Sequence, residues 1–134
     1  LLVIDPSRGV QEAEGVVQRL SSNLLQSEAN EVLRAMEFIQ RNALKPISVN
    51  DVIENASVSR RELYHRFKRI QGLGIKQALR HVRVSYIEEL LRDTNLTISE
   101  ISYKMQDVID PEHISRYFKA ETGMSPTEYR KRFR

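Results

Sequence analysis

The chain lacks cysteine and tryptophan, is sparing with glycine (five) and proline (four), and has no apolar run near the ~18 residues that cross a membrane. Without cysteine there can be no disulfide framework, no thiolate metal site and no cysteine nucleophile. No secretory signal pattern opens the chain, and it begins with Leu1 rather than Met, so a fragment of a longer, cytoplasmic polypeptide is expected. What is there suits a globular protein with a modest core: 134 residues, 40% apolar and 29% charged.

The net charge of +3 is unevenly spread. Residues 1–56 balance to −3 and residues 84–134 to −1, whereas residues 57–83 carry Arg60, Arg61, Arg66, Lys68, Arg69, Lys76, Arg80 and Arg83 against Glu62 alone, a balance of +7. Such clustering is the footprint of a polyanion site, although a solvated helix face has the same composition.

Helix starts recur. Ser48–Asp51, Ser59–Glu62, Thr97–Glu100 and Ser125–Glu128 each put a hydroxyl cap three residues before a carboxylate. The hydroxyl accepts a hydrogen bond from a free backbone N–H, and the carboxylate sits where the helix dipole favours negative charge. Pro126 stands at a first helical position, where its missing N–H costs nothing. Apolar residues follow at helical spacing: Val32, Met36, Ile39; Leu63, Phe67, Ile70; Ile75, Leu79, Val82, Tyr86, Leu90; and Ile114 with Phe118. Only Leu1–Ile4 reads as a strand. The expectation is an all-α domain over residues 28–134, preceded by a linker or the remnant of an upstream sensor domain at residues 1–27.

The domain is internally duplicated. Ser48, Asp51 and Val52 correspond to Thr97, Glu100 and Ile101 at an offset of 49, and Phe67-Lys68 and Gly72 correspond to Phe118-Lys119 and Gly123 at an offset of 51. Each unit reads cap, short helix, turn, second helix ending in Phe-Lys, then glycine, and the second unit has two extra residues in its turn. Two short helices joined by a tight turn are the helix-turn-helix layout, whose second helix can enter a DNA major groove. With Ser59 as cap and Leu63, Phe67 and Ile70 inward, Arg60, Arg61, Tyr64, His65, Lys68 and Arg69 fall on the exposed side. Arginine pairs with guanine O6 and N7, Tyr and His ends reach base edges, and long cations neutralise phosphates. Arg60, Lys68, Arg69 and, in the second unit, Lys119 are the expected phosphate contacts.

Residues 57–68 (Ser-Val-Ser-Arg-Arg-Glu-Leu-Tyr-His-Arg-Phe-Lys), Arg83-Val84, Leu90-Leu91, Ser115–Lys119, Gly123–Pro126 and Tyr129-Arg130 resemble the AraC-type transcription regulators, including their xylose-regulator-like branch. The resemblance covers about residues 31–133. It implies seven helices, with two helix-turn-helix units joined by a long central helix and both second helices reading successive major-groove segments of double-stranded DNA. Matching positions carry over Arg61, Tyr64 and His65 as base readers in the first unit, and Glu112, His113 and Arg116 in the second. It further implies an effector-binding domain upstream, contact with RNA polymerase, and no cofactor or membrane partner. The sequence departs from the family pattern in the second turn. Met105–Pro111 lacks the usual Gly-Phe, and Asp107, Asp110 and Glu112 bring negative charge to where phosphate is expected. The first unit is therefore expected to dominate binding.

Two other classes compete. Catalysis is disfavoured: His65, His81 and His113 are the only histidines, they fall on different helices or faces, and no metal-ligand, nucleophile or phosphate-loop motif accompanies them. A helical module that docks on polymerase or a partner regulator is compatible with the same basic helices.

Overall fold

The computed structural model describes residues 25–134. The backbone is helical over residues 25–42 (α1), Val49–Asn55 (α2), Arg60–Gln71 (α3), Ile75–Asp93 (α4), Ile98–Lys104 (α5), Ile114–Thr122 (α6) and Pro126–Phe133 (α7), with a 3₁₀ turn at Pro111–His113 leading into α6. The described residues thus hold seven α-helices and no strand. The strand reading of Leu1–Ile4 and residues 1–24 of the linker expected over 1–27 lie outside them, while residues 25–27 are helical.

Local signals set the helix ends. Ser48, Ser59, Thr97 and Ser125 each accept from the N–H three residues on, at 3.4, 3.3, 3.1 and 3.2 Å. In two of the four the carboxylate answers: Asp51 accepts from the Ser48 N–H at 2.7 Å and Glu100 from the Thr97 N–H at 3.4 Å. These closed boxes open α2 and α5, the first helices of the two units. At the other end, Gly72 and Gly123 both stop their helices at φ +78°, donating to the carbonyls of Lys68 and Lys119. Left-handed backbone is where a side chain costs most.

Two separate apolar clusters form. Val32, Ala35, Ile39, Ala43, Val52, Ile53, Leu63 and Phe67 fill the first, and Ile101, Met105, Ile109, Ile114, Phe118 and Tyr129 the second. Helix α4 belongs to both, giving Ile75, Ala78 and Leu79 to the first and Val84, Ile87, Leu90 and Leu91 to the second. Its 19 residues run about 28 Å. The single stripe Ile75-Leu79-Val82-Tyr86-Leu90 therefore needs correcting: Val82 and Tyr86 are only partly buried, while Val84, Ile87 and Leu91 are almost fully so. At 100° per residue, the buried face of the second half is rotated by roughly 130° from that of the first. The two lobes pack on different sides of one helix. Ile70 is a second correction, 42% exposed rather than buried beside Leu63 and Phe67.

Gly72→Ala and Gly123→Ala isolate the backbone contribution, since a Cβ at either site meets nothing within 4 Å. Each should cost about 1–2 kcal/mol, read as a lower urea midpoint with unchanged slope; a neutral result at either site would remove the glycine from the list of helix stops.

Candidate nucleic-acid interface

The outer face of α3 follows from its inner one. Leu63 and Phe67 are fully buried. At 100° per residue, His65 then points directly away from the core, with Arg61 and Lys68 within roughly 60° of it. All three are exposed, and Tyr64, 49% exposed, lies on the flank. Arg60 turns back toward the first helix of the unit, donating to Asn50 Oδ1. On the opposite flank Arg66 and Arg69 meet Glu28 of α1, Arg66 at 4.0 Å and Arg69 by a direct hydrogen bond; Arg66 also lies 3.7 Å from Glu62. Helix α1 thus holds one edge of α3.

The offset of 51 runs the whole length of the second helices. Ser59 and Asp110 are both N-caps, Asp110 accepting from the Glu112 N–H at 3.1 Å. Leu63 and Phe67 match Ile114 and Phe118, all buried, and Gly72 matches Gly123. The register therefore pairs Arg61 with Glu112, His65 with Arg116 and Lys68 with Lys119, and all six are exposed. His113 is also exposed, its Nδ1 lying 3.6 Å from Asp110 Oδ2. The scaffold is repeated while the outer charges differ. Arg60–Gln71 carries five cations and one acid, a balance of +4, whereas Pro111–Thr122 carries two of each and balances to zero.

The lengthened second turn is anchored. Between α5 and the 3₁₀ turn, Met105 and Ile109 are buried in the second core, at 1% and 4% exposure. Asp107 stays exposed, and Asp110 serves as a cap. The missing glycine is thus replaced by two apolar pins that hold the entry to α6.

Arg83, counted in the sequence with the basic cluster, and Arg130 are internal fasteners. Arg83 of α4 donates through Nε to the Ala43 carbonyl at 2.7 Å and through Nη2 to those of Lys45 and Ile47 at 3.3 Å each. Arg130 of α7 repeats the arrangement on α4, with Nε to Leu91 at 2.9 Å and Nη2 to Leu90 at 3.4 Å and Thr94 at 3.3 Å. In each lobe a guanidinium gathers carbonyls at or just beyond the end of the helix that leads into the helix-turn-helix unit. A planar fork of donors suits that task, and the negative end of the helix dipole favours it. Desolvation lowers the Arg83 pKa, opposed by Tyr117 nearby. The sequence signal was a spacing of 47 between the two arginines, close to the offset of the duplication. Tyr129, beside Arg130, packs edge-on against Phe118 at 5.4 Å and donates to Glu88 at 2.8 Å; burial, then that hydrogen bond, raises its pKa.

The family model described as "Helix-turn-helix domain" matches residues 52–132. The chain is 33% identical over 103 residues to the lactose operon transcription activator of Staphylococcus xylosus, covering 77% of this chain and 37% of that protein. It is 32% identical over 114 residues to the HTH-type transcriptional activator RhaR of Escherichia coli K12, covering 84% and 40%. Thus the chain spans about two fifths of the length of these curated relatives. Among solved structures, the C-terminal domain of AraT, a response regulator from Geobacillus stearothermophilus, superposes with a TM-score of 0.65 at 30% identity, covering 75% of this chain and 84% of that one.

Arg83→Met and Arg130→Met keep the aliphatic stem and remove the donors. Each should lower stability by roughly 1.5–3 kcal/mol, the worth of hydrogen bonds from a charged donor, and amide exchange should rise first at the ends of α1 and α4 respectively. Uniform loss of protection across both lobes would count against the local fastening role.

Proposed function

The chain belongs to the AraC-type helix-turn-helix family, the DNA-binding domains of transcription regulators, and from that premise we propose that α3 and α6 enter successive major-groove segments on one face of a double-stranded DNA target. The observation that carries this reading is the repeated helix from N-cap to glycine, buried along Leu63/Phe67 and Ile114/Phe118 and presenting hydrogen-bonding side chains at matching outward positions. Arg61, Tyr64 and His65 read base edges from α3, and Glu112, His113 and Arg116 read them from the start of α6. Arg61 and Arg116 suit guanine O6 and N7, and Glu112 suits the cytosine N4 amino group. Lys68 and Lys119, at equivalent positions, engage phosphates. Arg60 and Arg69 take a smaller share, because Asn50 and Glu28 already hold their guanidinium groups.

The first unit supplies most of the affinity. Its second helix carries +4, while its counterpart carries none and has Asp107 and Asp110 beside it. Phosphate neutralisation dominates the electrostatic part of binding, so the charge difference favours α3. In the full-length regulator we place effector sensing outside this domain, in line with the larger size of the relatives. Contact with RNA polymerase and a cytoplasmic location belong to the same reading. No described helix is long and apolar enough to cross a membrane.

Selection from a random duplex pool tests the proposal. Two short blocks about one helical turn (~10 bp) apart are expected; one block would reduce the second unit to a prop, and no enrichment at low salt would leave a protein-docking module. Arg61→Ala should cost about 1–3 kcal/mol and relax one position of the first block, more than Arg116→Ala costs. The reverse ranking would refute the dominance of the first unit. Lys68→Ala and Lys119→Ala should weaken binding across all sequences, each flattening the salt dependence by about 0.9 in log–log slope; an unchanged slope would remove that lysine from the phosphate set.

A further inference from the structure

The two apolar clusters share no residue, and a polar contact outside both of them joins the first-lobe half of α4 to α6. Arg80 lies on α4 between Leu79 and Val82 of the first lobe, and its guanidinium sits over the Tyr117 ring of α6, 4.6 Å from the centroid. Its Nε is buried and stands 2.9 Å from Glu121 Oε1, too far off line for a directed hydrogen bond but well placed for an ion pair. On the wheel of α6 Tyr117 and Glu121 fall on the side of Ile114, one turn apart and away from Arg116 and Lys119, with Tyr117 half-buried and Glu121 exposed. Tyr117 also lines a cleft with Ile47, Ser48 and Val49, the approach to α2 in the first lobe. Arg80 and Arg83 of α4 line the same cleft. Desolvation raises the Tyr117 pKa, and Arg83 and Arg80 oppose the shift.

We propose that Arg80, Tyr117 and Glu121 form a latch that ties the second recognition helix to the first lobe and so fixes the distance and phase between the two recognition helices. Arg80 is suited to it. On the helical wheel it falls on the face that carries Ile87 and Leu91 two and three turns later, the side on which the second lobe packs. A partly desolvated arginine that stacks on a ring and pairs with a carboxylate is held more firmly than an exposed ion pair. None of the three touches DNA in the proposed reading. They are positioning residues: their effect on DNA rests on that reading, but the latch itself does not.

Two measurements test it. The absence of cysteine allows clean spin labelling at Gln71→Cys and Ala120→Cys, both exposed and outside the proposed reading set. Dipolar distances without DNA should be narrow in the otherwise native chain and should broaden in Arg80→Gln, in Glu121→Gln and in Tyr117→Leu. Distributions equally narrow in all three variants, or already broad in the native chain, overturn the latch.

The second measurement uses unlabelled protein, the selected duplex, and versions with one base pair inserted or removed between the blocks. Each step moves the second half-site by ~3.4 Å and ~35°. The native chain should lose roughly tenfold or more per step, and the latch variants under about threefold, because a looser pair of helices follows the shift. A variant that is merely less stable weakens binding to all spacings alike. Variants as selective as the native chain overturn the role of the latch. A native chain indifferent to spacing sinks the two-headed reading, and with it the consequence for DNA, while the distance measurement still judges the latch.

Discussion

Everything in this domain hangs on the double burial of α4. Its first half is a wall of one core and its second half a wall of another, on faces roughly 130° apart at 100° per residue. A helix committed on two sides cannot roll to improve one core without exposing the other. That constraint sets where α3 and α6 sit, because α3 packs on the first half of α4, and α6 enters the second core through Ile114 and Phe118. The helix pays for this double duty with a less amphipathic sequence, which is why its buried face is hard to see from periodicity alone.

Around this helix the chain repeats its scaffold and varies its surface. Capping boxes open α2 and α5, left-handed glycines close α3 and α6, and an arginine gathers the carbonyls ahead of each unit. These features serve folding, and the physics of a helix end is the same in both lobes. The outward positions face no such demand. There Arg61 is matched by Glu112 and His65 by Arg116, so two equivalent frames present unlike chemistry. A protein built this way is suited to an asymmetric target, with one head strongly cationic and the other discriminating at neutral balance.

The charge distribution changes meaning once partners are known. Of the eight cations in residues 57–83, Arg66 and Arg69 are held by Glu28, Arg80 by Glu121, and Arg83 by backbone carbonyls. Among the described residues, Arg60, Arg61, Lys68 and Lys76 make no ion pair, and Arg60 is tied to Asn50. Half of the basic segment therefore serves to assemble the domain. The remainder is concentrated on the outer side of α3 and at the start of α4, a smaller and better aimed patch than the raw count suggests.

Sequence alone was enough for whatever depends on neighbours in the chain. The four caps, the two glycine stops and the helical class rest on interactions within a few residues, and the duplication is a repeat of those same local signals, so all of them survive without a fold. The inward line of α3 at Leu63 and Phe67, and hence the outward set around His65, follows from the same periodicity. What sequence could not supply was any choice among distant partners. That Ile70 is left exposed, that α4 turns its apolar face midway, that Arg83 and Arg130 close on carbonyls 36 to 40 residues away, and that Arg80 reaches Tyr117 and Glu121 are decided by which surfaces meet in three dimensions. An arginine on an exposed helix and one that fastens two lobes look the same along the chain, because their difference lies in the partner's position.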